Sequence, residues 1–276
     1  MSRLVLIFFG LKIGINSFIR GDYRIALKRI ILPVNYWRVS IFKHVVDCIL
    51  KSDHCGEEQI RILDIGSPKL LSLFLANRVD GTIYSTDLQD RTIFTEWKKH
   101  YQNMSNKNNL IFEFQNAKKL TYPDKWFDIV YSLSVIHMIA PAENGDILAL
   151  REIQKKIRPG GLLILEVPYR LQYAVNYANR DNFEEKYSDQ PLFKERQYDD
   201  AALETRIGRN VGGSLLNEIR LKERIPFDDI WTKLPKALRM LFALIEPWMD
   251  IINVSVSGEE RSHRVKSAIL VYQIKG

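Results

Sequence analysis

The chain has 276 residues, of which 46% are hydrophobic and 26% charged, a balance that excludes disorder and lets it bury a core without staples. Its two cysteines, Cys48 and Cys55, exclude a disulfide framework and fit a reducing, cytoplasmic setting. The formal net charge of +7 is concentrated at one end: Met1 to Lys51 holds nine Lys/Arg (Arg3, Lys12, Arg20, Arg24, Lys28, Arg29, Arg38, Lys43, Lys51) against two acids, Asp22 and Asp47, a surplus that attracts nucleic acid, an anionic membrane or an acidic substrate.

Residues 1–55 read as a basic helical cap. The apolar run Leu4–Leu11 is interrupted by Lys12 and falls short of the ~20 residues that span a bilayer. No small-residue cleavage site follows it, so neither a membrane span nor a signal peptide is expected. Pro33 separates two helices, and Tyr36–Leu50 sets Val39, Phe42, Val46 and Ile49 on one helical stripe. Ser52–Gln59 reads as a polar linker.

Residues 56–276 read as one α/β domain with insertions near 169–198 and 226–260. Ile60–Ile65 is a short apolar strand ending at Gly66. Ser67 as N-cap and Pro68 as first helical residue open a helix whose inner face is Leu70, Leu71, Phe74 and Leu75. Thr82–Thr86 is a strand closed by Asp87, Thr92–Met104 a helix, Leu110–Phe114 and Phe127–Leu133 strands. Asp146–Ile157 is a helix stopped by Arg158-Pro159-Gly160-Gly161, and Leu162–Val167 a fifth strand. Tyr169–Tyr198 is polar and tyrosine-rich, an insertion or lid in which Tyr173 and Tyr177 would share a helical face. Asp199–Ile207 and Trp231–Met249 read as helical, Leu215–Leu221 and Ala268–Ile274 as strands. Strands alternating with helices predict a doubly wound, mostly parallel, seven-stranded sheet with N-terminal helices and helical insertions.

Four segments carry the chemistry: RILDIGSPKLLSLFLA (61–76), TIYSTDLQD (82–90), FQNAKKLTYPDKWFDIVYSLSVIHMI (114–139) and LREIQKKIRPGGLLILEVPY (150–169). In this order and spacing they resemble the class I S-adenosylmethionine-dependent methyltransferases, in particular the branch that methylates small molecules and lipid quinones. The resemblance covers roughly 110 residues plus the final strand, and its specificity lies in the joint order. It implies a Rossmann-like fold, methyl transfer, and S-adenosylmethionine as cofactor, held by Asp64, Ile65, Gly66 and Ser67, by Asp87 and Leu88, by Asn116 and Ala117, and by Ser132 and Leu133. In the family's pattern Asp87 accepts from the ribose hydroxyls, Asn116 and Ala117 meet the adenine, and Ser132 and Leu133 flank the methionine portion. The chain departs from that pattern at Pro68, where the family has glycine; proline fixes φ and lacks an N–H.

Taken alone, Asp64 and Asp87 read as ordinary turn and capping acids; the four-part order favours binding. His137, after the fourth strand, is the candidate base for an acceptor that must lose a proton, set against the plainer reading of a packed histidine. Glu166 and Tyr169 are acceptor-side candidates. His44, Cys48, His54 and Cys55 lack the paired spacing of a zinc site, so no metal is expected. No G-x-S-x-G, P-loop or H-E-x-x-H is present, which removes hydrolase, NTPase and metalloprotease readings. A catalytically silent binding protein on the same fold is the alternative that Pro68 raises. A nucleic-acid methyltransferase ranks lower, without an Asn-Pro-Pro-Tyr-type motif or an aromatic-interleaved basic patch. Two readings of residues 1–32 stand: peripheral contact with an anionic membrane, and a cap over the sheet.

Overall fold

The computed structural model describes residues 1–56, 59–88, 91–104, 109–180, 187–235, 238–239, 243, 245–257 and 261–276. The chain opens with three helices, α1 (Arg3–Ile19), α2 (Tyr23–Ile31) and α3 (Tyr36–Leu50). Ser2 caps α1, its hydroxyl accepting from the Leu4 N–H at 3.3 Å. The hairpin of α1 and α2 packs closely because Gly14 has no side chain: a Cβ there would lie 2.9 Å from Ile30 Cγ1 of α2. Val39, Phe42, Val46 and Ile49 of α3 are all buried. The Arg3 guanidinium donates to the carbonyls of Asp250, Ile251 and Val254, complementing the carboxyl end of a helix late in the chain.

There follow β1 (Ile60–Ile65), α4 (Lys69–Ala76), β2 (Gly81–Asp87), α5 (Arg91–Met104), β3 (Leu110–Phe114), β4 (Phe127–Leu133), α6 (Gly145–Lys156) and β5 (Ile157–Pro168). Next come β6 (Ala174–Arg180), β7 (Tyr187–Gln197), β8 (Gly213–Glu223), α7 (Phe227–Lys233), α8 (Glu246–Asn253), β9 (Val254–Val256) and β10 (Val265–Ile274). The main sheet runs β3-β2-β1-β4-β5-β10-β8-β9. The pairings from β3 through β5 are parallel, and β10, β8 and β9 add antiparallel edges. Among the described residues the main sheet thus has eight strands where seven are expected from the sequence, with β6 and β7 forming a separate two-stranded sheet; β9, three residues long, is too short to leave a periodic signal.

Side chains alternate across the sheet into two apolar layers. One, with Ile62, Ile83, Ile129 and Ile164, meets the N-terminal helices, α4 and α5. The other, with Leu63, Val130, Leu163 and Leu165, meets α6 and the helical turns at 200–210. Ser17 of α1 reaches His100 of α5 at 3.3 Å, and Phe9 meets Phe74 of α4 edge-on at 5.1 Å, so the N-terminal hairpin lies against helices of the sheet's outer layer.

Two local expectations are corrected. Pro68, not Ser67, takes the N-cap position of the helix after β1; the Ser67 hydroxyl instead accepts from the Leu133 N–H at 2.9 Å. Tyr173 and Tyr177 do not share a helical face: Ala174–Arg180 is a strand of an antiparallel hairpin with β7. Tyr173 packs edge-on against Tyr198, while Tyr177 is exposed and meets Phe193. Residues 181–186, between these two strands in the chain, lie outside the described residues.

Candidate active site

The strand order reverses between β1 and β4, with β2 and β3 to one side and β5 to the other. In an open parallel sheet that reversal opens a crevice beyond the carboxyl ends of the strands. The residues singled out in the sequence fall there. Asp64 and Ile65 end β1 and Gly66 and Ser67 follow it, Asp87 ends β2 and Leu88 follows it, Asn116 and Ala117 follow β3, and Ser132 and Leu133 end β4.

Gly66 has φ +64, a conformation costly for any residue with a Cβ. An added Cβ would also lie 3.0 Å from Val135 Cγ1, so this turn admits only glycine without rearrangement. The strand tips are stitched together around it. The Gly66 N–H donates to Thr86 O at 2.9 Å, and the Ser132 hydroxyl to Ile65 O at 3.1 Å.

Asp64 is fully buried, and its carboxylate is satisfied from within the chain. Oδ1 accepts from the Ser67 N–H at 2.9 Å. Oδ2 accepts from the hydroxyls of Ser72 and Ser85, both at 2.6 Å, and faces Lys69 Nζ at 3.4 Å. The Lys69 ammonium also donates to Thr86 O at 2.7 Å and stands 3.5 Å from Asp87 Oδ2. A buried lysine bridging the acids of β1 and β2 is the largest departure from the sequence reading. Lysine is almost never fully buried unless paired, and nothing in the pattern at the start of α4 marks it as an exception.

Asp87 remains 19% exposed at its side chain and Leu88 is 59% exposed, so the β2 side of the crevice is open to a ligand. Asn116 builds its own turn: Oδ1 accepts from the Lys118 N–H at 2.9 Å and its carbonyl from the Lys119 N–H at 2.8 Å. One lone pair of Oδ1 is left for an amine. Ala117 packs on the second apolar layer.

On the far side of β4 the chain builds a polar cluster around Glu166. Ser134 takes φ +58, a strained conformation for a residue other than glycine. It donates through both its N–H and its hydroxyl to Glu166, at 3.2 Å to the backbone oxygen and 2.7 Å to Oε2. Ser267 of β10 donates to the other carboxylate oxygen. Burial raises the Glu166 carboxyl above its ordinary range, against the two serines and the Arg38 charge, which pull it down. Sequence reading offered Glu166 but missed Ser134, because positive φ leaves no signature in a serine.

His137 is buried in a helical turn, Ile136–Met138. Nε2 stands 3.9 Å from Glu195 Oε2 of β7, and Nδ1 has no hydrogen-bond partner among the described residues. Burial pushes the imidazole down to about 4, with Glu195 pulling up and Arg196 down. The hairpin covers this turn through Arg196, which is fully buried. Its guanidinium donates to the carbonyls of His137, Ile139, Pro141 and Ala142 and pairs with Asp146 at 3.5 Å. Asp146 in turn accepts from Tyr198 and Arg206.

The pH dependence follows from His137. Its folded value lies below the ordinary 6.5, so folding favours the neutral ring. That stabilisation is complete above about pH 6.5 and is lost as pH falls toward about 4, up to about 3 kcal/mol in all. Burial also lowers His44 to about 4. His137→Asn is therefore expected to flatten, but not abolish, the fall in urea midpoint between neutral pH and about pH 5; an unchanged slope would contradict the burial argument.

The zinc candidates do not assemble: His54 bonds Gly160 O at 3.0 Å, Cys48 is a free thiol, and the Cys55 side chain lies outside the described residues. No cluster of three or more His, Cys, Asp or Glu among the described residues could hold a metal.

Residues 63–165 match a family model described as a methyltransferase domain. No curated protein matches. Among solved structures, the chain is similar to a proposed sarcosine dimethylglycine methyltransferase from Galdieria sulphuraria (8% identity, 86% of each chain covered, TM-score 0.54). It is also similar to a proposed S-adenosylmethionine-dependent methyltransferase from Listeria monocytogenes (10% identity, 86% of this chain and 100% of that one, TM-score 0.52). A third likeness is to the [4+2]-cyclase SpnF (16% identity, 84% of this chain and 80% of that one, TM-score 0.52). At these identities the likeness establishes the fold, and the cyclase illustrates that one fold hosts more than one chemistry.

Proposed function

We propose that this chain, a class I S-adenosylmethionine-dependent methyltransferase by its domain match and fold, delivers the methyl group to a small-molecule or lipid-like acceptor. The methyl donor is S-adenosylmethionine; it supplies an activated methyl on a sulfonium, so the protein's task is alignment and exclusion of water. The donor set at the strand tips fits it. Asp87, partly exposed at the end of β2, offers a carboxylate to the ribose hydroxyls. Asn116 Oδ1 and Ala117 offer an acceptor and an apolar contact to the adenine. The side-chain-free face of Gly66, with Ile65, Ser67, Ser132 and Leu133, borders the methionine portion. Asp64 positions this end through its backbone, since its carboxylate is consumed by Ser67, Ser72, Ser85 and Lys69.

The observation that carries the acceptor class is the hairpin pinned down by Arg196 over the loop after β4. A roof fixed to the acceptor side suits a compact substrate and shuts out a nucleic-acid duplex. Within it, His137 is neutral at pH 7, the protonation state required of a base for an acceptor that must lose a proton.

Titration calorimetry with S-adenosylmethionine and with its demethylated product tests the cofactor assignment. Saturable heat is expected with both, and Asp87→Ala should weaken each about 10- to 100-fold, the worth of hydrogen bonds to a charged group. Absence of heat with either ligand would leave a silent protein on this fold. Turnover of nucleic acid, but of no small or lipid-like acceptor in a radiolabelled-methyl screen, would overturn the acceptor class.

A further inference from the structure

The N-terminal hairpin presents a second functional surface, away from the strand tips. One side of α1 is committed to the core, with Leu6, Ile7 and Ile13 buried. The opposite side carries Phe8 at 58% exposure, Ile15 at 53%, Phe18 at 57% and Ile19 at 76%, and α2 continues it with Tyr23 at 63% and Leu27 at 62%. Scattered exposed apolar residues need no explanation, but large ones clustered on two adjoining helices mark an interaction site.

The charge of this surface selects the partner. Exposed Lys12, Arg24 and Lys28 stand among these apolar side chains, and residues 1–31 contain six Lys/Arg (Arg3, Lys12, Arg20, Arg24, Lys28, Arg29) against one acid, Asp22. A second copy of the chain would set this basic face against itself, which like charges oppose. Beside Phe8, an open groove of about 390 Å³ is lined by Val5, Phe8, Phe9, Lys12, Asn77 and Arg78; it joins an apolar wall to two cations, the two chemistries of an anionic amphiphile. α1 has 17 residues, about 25 Å at ~1.5 Å per residue, shorter than a ~30 Å hydrocarbon core. No helix among the described residues is long and apolar enough to cross a membrane. A surface of this kind lies in the plane of an interface.

We propose that the α1–α2 hairpin docks this protein on an anionic lipid bilayer, its aromatic and aliphatic side chains entering the headgroup region and its lysines and arginines meeting the lipid charge. The proposal stands apart from the methyl-transfer reading and can fail or hold without it.

Flotation of the full chain with vesicles tests it, using phosphatidylcholine alone and phosphatidylcholine mixed with phosphatidylglycerol. Binding to the mixed vesicles that weakens with salt is expected, with little to the neutral ones. Lys12→Glu, Arg24→Glu and Lys28→Glu should each weaken binding about fivefold or more, since a basic residue near an anionic surface contributes about a factor of five. Phe18→Ser with Ile19→Ser should weaken it at least as much, whereas Leu215→Ser with Leu216→Ser, exposed on β8, should leave it unchanged. All these positions are exposed, and circular dichroism confirms that the variants fold. Equal binding to both vesicle types, binding to neither, wild-type binding by the hairpin variants, or capture of an acidic protein in place of lipid would overturn the proposal.

Discussion

Arg196→Met is expected to lower the free energy of unfolding by about 3–5 kcal/mol, the loss typical when one partner leaves a buried ionic network. The side chain is fully buried, and four backbone carbonyls between His137 and Ala142 take their hydrogen bonds from it. Methionine fills the space but donates nothing, so those carbonyls lose the buried donor that ties them to the hairpin. Asp146 keeps Arg206 and Tyr198, which places the damage on the contact between the hairpin and the β4 loop. Urea unfolding measures the total, and limited proteolysis should cut first in residues 174–197. The Arg209–Glu204 pair is the control: its side chains are 69% and 65% exposed, and Arg209→Met should change stability by no more than about 0.5 kcal/mol. A hairpin held by apolar contacts alone would leave the Arg196 variant close to that control.

The second large effect is expected at Lys69→Met, about 3 kcal/mol or more of lost stability. The ammonium is 3% exposed at its side chain and lies 3.4 Å and 3.5 Å from two carboxylates. Without it, Asp64 stays buried with its three neutral donors, and its negative charge loses the only cation within ion-pair distance among the described residues. Pairing the substitution with Asp64→Asn should recover part of the loss, with a coupling of about 0.5–3 kcal/mol. Strict additivity in that double-mutant cycle would show that the two groups do not act together. Lys69→Arg should not rescue, because a planar guanidinium is not interchangeable with a compact ammonium in so tight a site.

Much of the parallel half of the sheet was legible because its strands are short apolar runs bounded by polar residues. Leu110–Phe114 and Phe127–Leu133 are strands over the spans read from the sequence. Gly66 was legible too, as the residue that ends an apolar strand and precedes a helix. What escaped was polar burial. Lys69 and Arg196 carry no mark of burial in the sequence, since their types are almost never fully buried unless paired; only the fold reveals the carboxylates and carbonyls that compensate them. The hairpin at 174–197 escaped for a different reason. Register shifts near Asn176 and Ala178 break the alternation of two, and tyrosines four apart fit a helix as well as a strand. The pairing of Ser67 with Leu133 joins residues distant in the chain, which local capping rules cannot foresee.

The position of β10 bears on how this protein is made. It is the last strand in chain order, yet it lies inside the sheet, matching Leu270 to Leu165 of β5 on one side and Glu218 of β8 on the other. A nascent chain can therefore assemble its five parallel strands while β5 still shows an unpaired, apolar border. Open strand edges of this kind recruit other chains, and late, non-local pairing prolongs their exposure. The interval between the emergence of β5 and the pairing of β10 is when that border is most open to other chains.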